Sequence, residues 1–474
     1  MKSLHKYIAV ALLAVCATSC KDFLETDPYD AISNELALGS YANLSKATNG
    51  LYAPLRSSSY YGAQLIISGD VMADNVGRSS VKSSSRYIQE FDLTMGPSVG
   101  YYSGLWTRPY SIINSACQVI NTIDKGDFDR GSATDAQVDQ LLGEALFIRA
   151  LCHFDLCRSF AHHYTFTDAA LALGANGQGG HLGVPVITKH DITSFPARNT
   201  VKEVYDQVIA DLTRAEKLIT FDKGRAFATA NAVKALLARV YLYKEDWANA
   251  AKYAEEVIAS GEYPLSENDD VVDFWVKDDG DETIFQLPSI STEDYFPGNE
   301  SLGSLFNIGT DFPYSDLIVQ PELFNLFDNN DLRKNLYYTD VNGEIRVKKF
   351  LPKQKNTSPY ENNIKVLRVA EMYLISAEAN MYVDPAQAQT RFNELRQTRG
   401  LASVPINSVS ITLERRKELA CEGHRVFDLA RSKKDNVRSN SITPKVAYPS
   451  HLYIFPIPAA EIQRNKNIEQ NVGF

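Results

Sequence analysis

Residues 231–264 read NAVKALLARVYLYKEDWANAAKYAEEVIASGEYP, and this stretch decides the fold. Val233, Leu236, Leu237, Val240 and Tyr241 recur at three- and four-residue steps. That is the period of a helix with one apolar face. Asp246 then offers an N-cap side chain, and Trp247, Ala250, Ala251, Ala254, Val257 and Ile258 repeat the same steps. The spacing predicts helices over 229–243 and 246–260, joined by a tight turn. Their small residues let two antiparallel helices approach closely.

The 34 residues from Asn231 to Pro264 fit a tetratricopeptide frame. Leu237, Ala238, Tyr241 and Ala250 fall where that repeat wants Leu, a small residue, Tyr and Ala, while Val257 replaces its usual Ala. One such pair cannot bury its own face, so several must stack. A second pair is predicted over 366–382 and 385–399. Upstream, Thr134 with Gln137 and Thr200 with Glu203 have capping-box spacing and open helices over 134–160 and 200–219. The class is therefore mainly α with minor β, the strand candidates being Glu282 to Leu287 and Glu344 to Phe350.

The chain has 474 residues and a net charge of −10. An acidic protein lacks the basic footprint nucleic acid requires, so no nucleic-acid partner is expected. Tyrosine (25) and phenylalanine (22) far outnumber tryptophan (3), so an aromatic site should be built from single rings. Cys117, Cys152, Cys157 and Cys421 show no CxxC or Cys/His metal spacing. They read as buried free thiols, with no metal and no cofactor expected.

Residues 1–19 have a basic start and an apolar run too short to span a bilayer, the pattern of a secretory signal. Losing Lys2 and Lys6 and no acids would move the net charge from −10 to −12. The sequence Ala17-Thr18-Ser19-Cys20 resembles a bacterial lipobox, with Ala17 where the pattern prefers Leu. That resemblance implies acylation of Cys20, palmitate included, and a stable lipid anchor. Asp22, Glu25 and Asp27 resemble the acidic tag of surface-exported lipoproteins.

Several further motifs occur in order. They are Gly143–Leu151 (GEALFIRAL), Thr200–Ile219, Gly224–Ala226 leading into Ala235–Leu242, Arg368–Ala379 (RVAEMYLISAEA), Glu414–Leu419, Glu422–Leu429, and Pro456-Ile457-Pro458 with Glu461, Asn465, Gln470 and Asn471. Together they resemble the SusD/RagB family of nutrient-binding outer-membrane lipoproteins. The resemblance implies a SusD-like domain over 20–474 after a signal peptide over 1–19. Its helical scaffold would lie mainly at 105–260 and 364–432, with variable ligand-face segments at about 57–104 and 262–362. It further implies a cell-surface, outer-membrane location and a TonB-dependent SusC-like transporter as partner. The implied role is capture of a glycan, an oligosaccharide in the main reading, with peptide binding as the alternative. The family is not enzymatic.

The mixed charges from Glu414 to Asp428 read as a solvated or self-paired network that Gly423 interrupts. Arg149 and Arg239, set among apolar helix neighbours, should pair with buried acids. Trp106 and Trp247 should pack, leaving Trp275 without a structural role. By region, the ligand residues expected are Asp74, Asn75, Arg78, Tyr87 and Phe91 from the first variable segment. The second offers Trp275, Tyr295, Phe296, Phe312 and Tyr314. Gly96-Pro97-Ser98-Val99-Gly100 spells G-x-S-x-G but lacks the strand and helix of a nucleophile elbow. Asp278–Glu282 reads as a solvated acidic loop rather than a calcium site.

Overall fold

The computed structural model describes residues 38–191, 193–277, 280–353 and 358–474. The leader, Cys20 and the acids after it lie outside the described residues, as do Asp278 and Asp279.

The main helices are α1 (Tyr41–Gly50), α2 (Gln64–Val71), α3 (Ser103–Lys125), α4 (Asp135–Phe160), α5 (Val201–Leu218), α6 (Ala230–Lys244), α7 (Trp247–Ala259), α8 (Asp270–Val276), α9 (Val369–Val383), α10 (Pro385–Thr398), α11 (Ser408–Glu418) and α12 (Arg425–Arg431). The helix starts follow from the side chains ahead of them. Thr134 and Thr200 form full capping boxes with Gln137 and Glu203. Asp246 and Asp384 accept backbone N–H bonds at the starts of α7 and α10. Each cap satisfies donors that a helix end otherwise leaves orphaned.

Helices α3 to α7, α9 and α10 pack pairwise, with α7 lying against both α6 and α9. Ala235, Ala238, Ala250 and Ala254 are fully buried, which is what close helix approach demands. Helix α4 is buried along almost its whole length. Arg149 pairs with Asp211 through two bonds of 2.8 and 2.7 Å, and Arg239 pairs with Glu371. All four described cysteines are free and buried. Among the described residues no helix is long and apolar enough to cross a membrane.

Among the described residues strands are short and pair in twos: β1 (Val76–Arg78) with β3 (Leu317–Val319), β2 (Thr283–Leu287) with β6 (Ile364–Arg368), β4 (Tyr337–Thr339) with β5 (Ile345–Val347), and β7 (Asn436–Val437) with β8 (Lys445–Val446), all antiparallel. The C-terminal segment returns to the scaffold. Tyr102 stacks on Phe455 at 5.4 Å, and Asn471 donates to the carbonyls of Phe160 and Phe455. Arg198 in turn donates to Asn471 Oδ1.

The mixed-charge motif is self-paired and buried rather than solvated. Glu418 accepts from Arg368, Arg399 and Arg333 at 2.8 to 3.1 Å. Arg415 binds Asp428, which also pairs with Arg431. Glu282, expected in a solvated loop, is 1% exposed and bonded to Arg368 and Arg399. The acidic run hid this because its partners lie about ninety to one hundred and twenty residues away. Gly423, at φ +81°, lies in the turn between α11 and α12 and sits against Gly69 of α2. A Cβ on Gly69 would lie 2.3 Å from the Gly423 carbonyl oxygen, so both positions demand glycine.

Candidate functional site

The β1–β3 pairing sets Val76 opposite Val319 and Arg78 opposite Leu317. It brings the first variable segment against the second. Past β1, Ser79 N donates to the Asp316 carbonyl at 2.7 Å, and Ser84 donates from both backbone and side chain to the Asp316 carboxylate.

Arg86 is the hinge of the meeting. It forms a two-bond ion pair with Glu300 and lies 3.6 Å above the Tyr314 ring. The Glu300 bonds hold its guanidinium even more firmly protonated than usual. Next to it, Tyr87 packs against Tyr101 with ring centroids 5.3 Å apart. Tyr101 is 36% exposed. Tyr295, at 44% exposure and φ +62°, lies over Arg108 of α3 at 5.0 Å. Arg56 ties down the preceding loop through the carbonyls of Pro288 and Asp294. Phe312 meets Tyr360 edge-on at 6.2 Å, and Tyr360 donates to the Asp311 carbonyl. The result is a set of single rings, each steered by an arginine or a backbone bond. Flat apolar faces beside guanidinium donors can hold the C–H face and hydroxyl edge of a sugar ring.

The residues expected at the ligand fall into two groups. Tyr295 is exposed, while Phe296, Tyr314 and Arg78 are half-buried. Arg78 donates to Ser83 at 2.7 Å. Asp74, Asn75, Tyr87, Phe91, Phe312 and Trp275 are engaged inside the fold. Asp74 takes both bonds of Arg425, at 2.6 and 2.9 Å. Asn75, 1% exposed, donates to Asp70 and accepts from Arg416. Asp70 also accepts from the Cys421 and Gly423 N–H groups, and burial pushes its carboxyl up to about 6. These polar residues clamp α2 and β1 onto the 416–425 motif. Tyr87 and Phe91 are 1% and 5% exposed and Phe312 is 8%. Trp275 is 6% exposed and surrounded by Lys349, Lys365 and Arg368. It therefore has a structural role that its position in a variable segment concealed.

Residue patterns alone did not single out Arg86, Tyr101, Arg108 or Tyr360. The adjacent Arg86-Tyr87 and Tyr101-Tyr102 pairs were the available signal. Arg438 was also missed. It lies 5.1 Å over Phe91, is 3% exposed, and none of its three guanidinium nitrogens has a hydrogen-bond partner among the described residues. Burial lowers its pKa to about 10. Ser98 sits on a tight turn closed by paired Gly96 and Val99 backbone bonds, with no strand-to-helix elbow around it.

Known proteins share this architecture. A SusD superfamily protein of known structure from Bacteroides vulgatus is 30% identical, with a TM-score of 0.81, covering 92% of this chain and 99% of that one. The chain belongs to the SusD/RagB family. A family model described as starch-binding associating with outer membrane matches 22–242 of this SusD-like chain, and the SusD family model matches 328–474. SusD-like protein P2 of Formosa agariphila is 24% identical over 99% of both chains. A solved structure described as a laminarin binding SusD-like protein is 23% identical, with a TM-score of 0.73, covering 91% of this chain and 99% of that one. The mainly α SusD fold is thus shared along nearly the whole chain. The family's own description joins glycan binding to the outer membrane.

Proposed function

We propose that the protein is a cell-surface lipoprotein, anchored through acylated Cys20, that captures an oligosaccharide without turning it over. It then hands the ligand to a TonB-dependent SusC-like transporter. The observation that carries glycan capture is the arginine-steered aromatic face where the two variable segments meet, on a chain of a family described as starch-binding. The glycan-binding relatives, laminarin among their ligands, support the same class. Tyr295, Phe296, Tyr314 and Arg78 contact the ligand in this reading. Asp74, held by Arg425, and the buried Asn75, Tyr87, Phe91, Phe312 and Trp275 shape the face from beneath.

Calorimetry on the chain from Lys21 onward, against oligosaccharide and peptide panels, tests the assignment. Saturable binding to one glycan class is expected. The double variant Tyr295→Ala/Tyr314→Ala should lose about tenfold or more in affinity while melting within a few degrees of the parent. Binding to peptides alone would overturn the glycan assignment in favour of peptide capture. Cys20→Ala should abolish metabolic labelling with palmitate, and retained label would remove the anchor.

A further inference from the structure

A groove of about 240 Å³ opens on the scaffold, and none of its lining residues comes from either variable segment. One wall is Trp247 and Tyr382, stacked with centroids 4.4 Å apart and planes within 14°. Tyr382 is 64% exposed, so the stack presents an open ring face. Met381 and Ile411 form an apolar floor, and Lys433 and Lys434 stand on the rim.

The charges around this groove do not balance. Glu378 is bound bidentately by Arg431 and Asp435 pairs with Lys445, whereas Glu245, which accepts from the neutral Thr165 hydroxyl, keeps its charge and leaves one carboxylate against two ammonium groups in the lining. Lys433 and Lys434 are exposed and have no ion-pair partner among the described residues. Two free ammonium groups on a chain of net charge −10 mark a local positive field. An open aromatic face beside such a field suits a ring with an apolar side and an anionic substituent.

We propose that this groove is a second glycan site, selective for a sugar unit bearing a negative charge such as a uronate. The sugar's C–H face lies on Tyr382, and its carboxylate meets Lys433 and Lys434. The site is separate from the aromatic face of the variable segments and does not depend on that face binding anything.

The molecule carries its own reporter. Trp106 and Trp275 are buried at 2% and 6% exposure, so Trp247 alone is partly open to a quencher. Acrylamide quenching of the chain from Lys21 onward, titrated with trigalacturonate, should show saturable protection that weakens as salt rises. Tyr382→Ser should raise the apparent Kd by about tenfold or more. The pair Lys433→Asn/Lys434→Gln should do the same, with Asn chosen because Lys433 has φ +55°. All these side chains are exposed, so matching melting curves should confirm that the variants fold. Tyr295→Ala/Tyr314→Ala should leave the protection intact.

Equal protection by neutral maltotriose would overturn the charge selectivity. Absence of protection at about 10 mM trigalacturonate would overturn the site. Stronger protection by hexaglutamate would assign the groove to an acidic peptide and overturn the sugar. Loss of protection in Tyr295→Ala/Tyr314→Ala would return the signal to the variable-segment face and overturn a separate site.

Discussion

Two regions of this protein pair arginines with carboxylates, and they do opposite things. Around Glu418 every partner is buried and several bonds converge on one carboxylate from three distant segments. Around Arg86 the pair is open, with Glu300 36% exposed, and the guanidinium's second face lies on a tyrosine. Desolvation separates the two. A buried charge is costly to leave unmatched, whereas a surface pair adds about 0–1 kcal/mol and can release a ring face to a ligand. The first region fixes the frame, and the second is the one to which the proposed function assigns recognition.

Removing one charge from each region should expose that contrast. Glu418→Gln leaves Arg333, Arg368 and Arg399 under-compensated, and should cost about 3–5 kcal/mol in urea unfolding. A loss below about 1 kcal/mol would place this network with ordinary surface pairs.

The buried side also predicts acid sensitivity. Burial holds His153 at about 3, with Arg149 reinforcing it. Burial likewise holds His162 at about 3, helped by His181, and His163 at about 3, helped by Lys433. In the unfolded chain each would titrate near 6.5. The unfolded state therefore binds protons that the fold refuses. Stability from these groups is complete above about pH 6.5 and falls as pH drops towards 3, by up to about 4 kcal/mol per unit near pH 5. Melting temperatures measured from pH 8 to 4 check this, and a flat profile would show that the rings protonate in place.

Arg438 sharpens the comparison from the other direction, because its buried guanidinium lies over Phe91 with no hydrogen-bond partner among the described residues. Arg438→Met should stabilise the protein by about 1–3 kcal/mol in the same urea assay, since it removes an unmatched charge while keeping the stem. Destabilisation would mean that the guanidinium is satisfied in solution.

The smallest expected effect is that of Arg86→Ala. The open pair should contribute under about 1 kcal/mol to stability. Loss of the Tyr314 cation should nevertheless weaken glycan binding several-fold in calorimetry. A large stability loss with unchanged affinity would move Arg86 into the frame.

The scaffold was legible in the sequence because helices announce themselves locally. Thr134, Thr200 and Asp246 cap where their spacing predicts, and Ala235, Ala238, Ala250 and Ala254 face inward. The pairing of Arg149 and Arg239 with acids followed from charge set in apolar surroundings, although their partners could not be read. Roles that depend on distant contacts were not legible. Asp74 and Asn75 look like ligand groups until Arg416 and Arg425, about 340 to 350 residues further on, fold against them. Trp275 looked free until Lys349, Lys365 and Arg368 surrounded it. Burial of a polar or aromatic side chain is a property of the assembled chain, and sequence proximity does not encode it.

The bonds of Asn471 to Phe160 and Phe455 have a consequence for timing. The carbonyl at the end of α4 receives its partner from a residue 311 positions later. A ribosome must add those 311 residues before this seam can close. Until then the aromatic cluster of Tyr102, Trp106 and Phe160 lacks its Phe455 neighbour. Non-local closure of this kind is slow relative to helix formation. The nascent chain should therefore persist as a helical, unsealed intermediate, open to a chaperone, and lock only when Asn471 arrives.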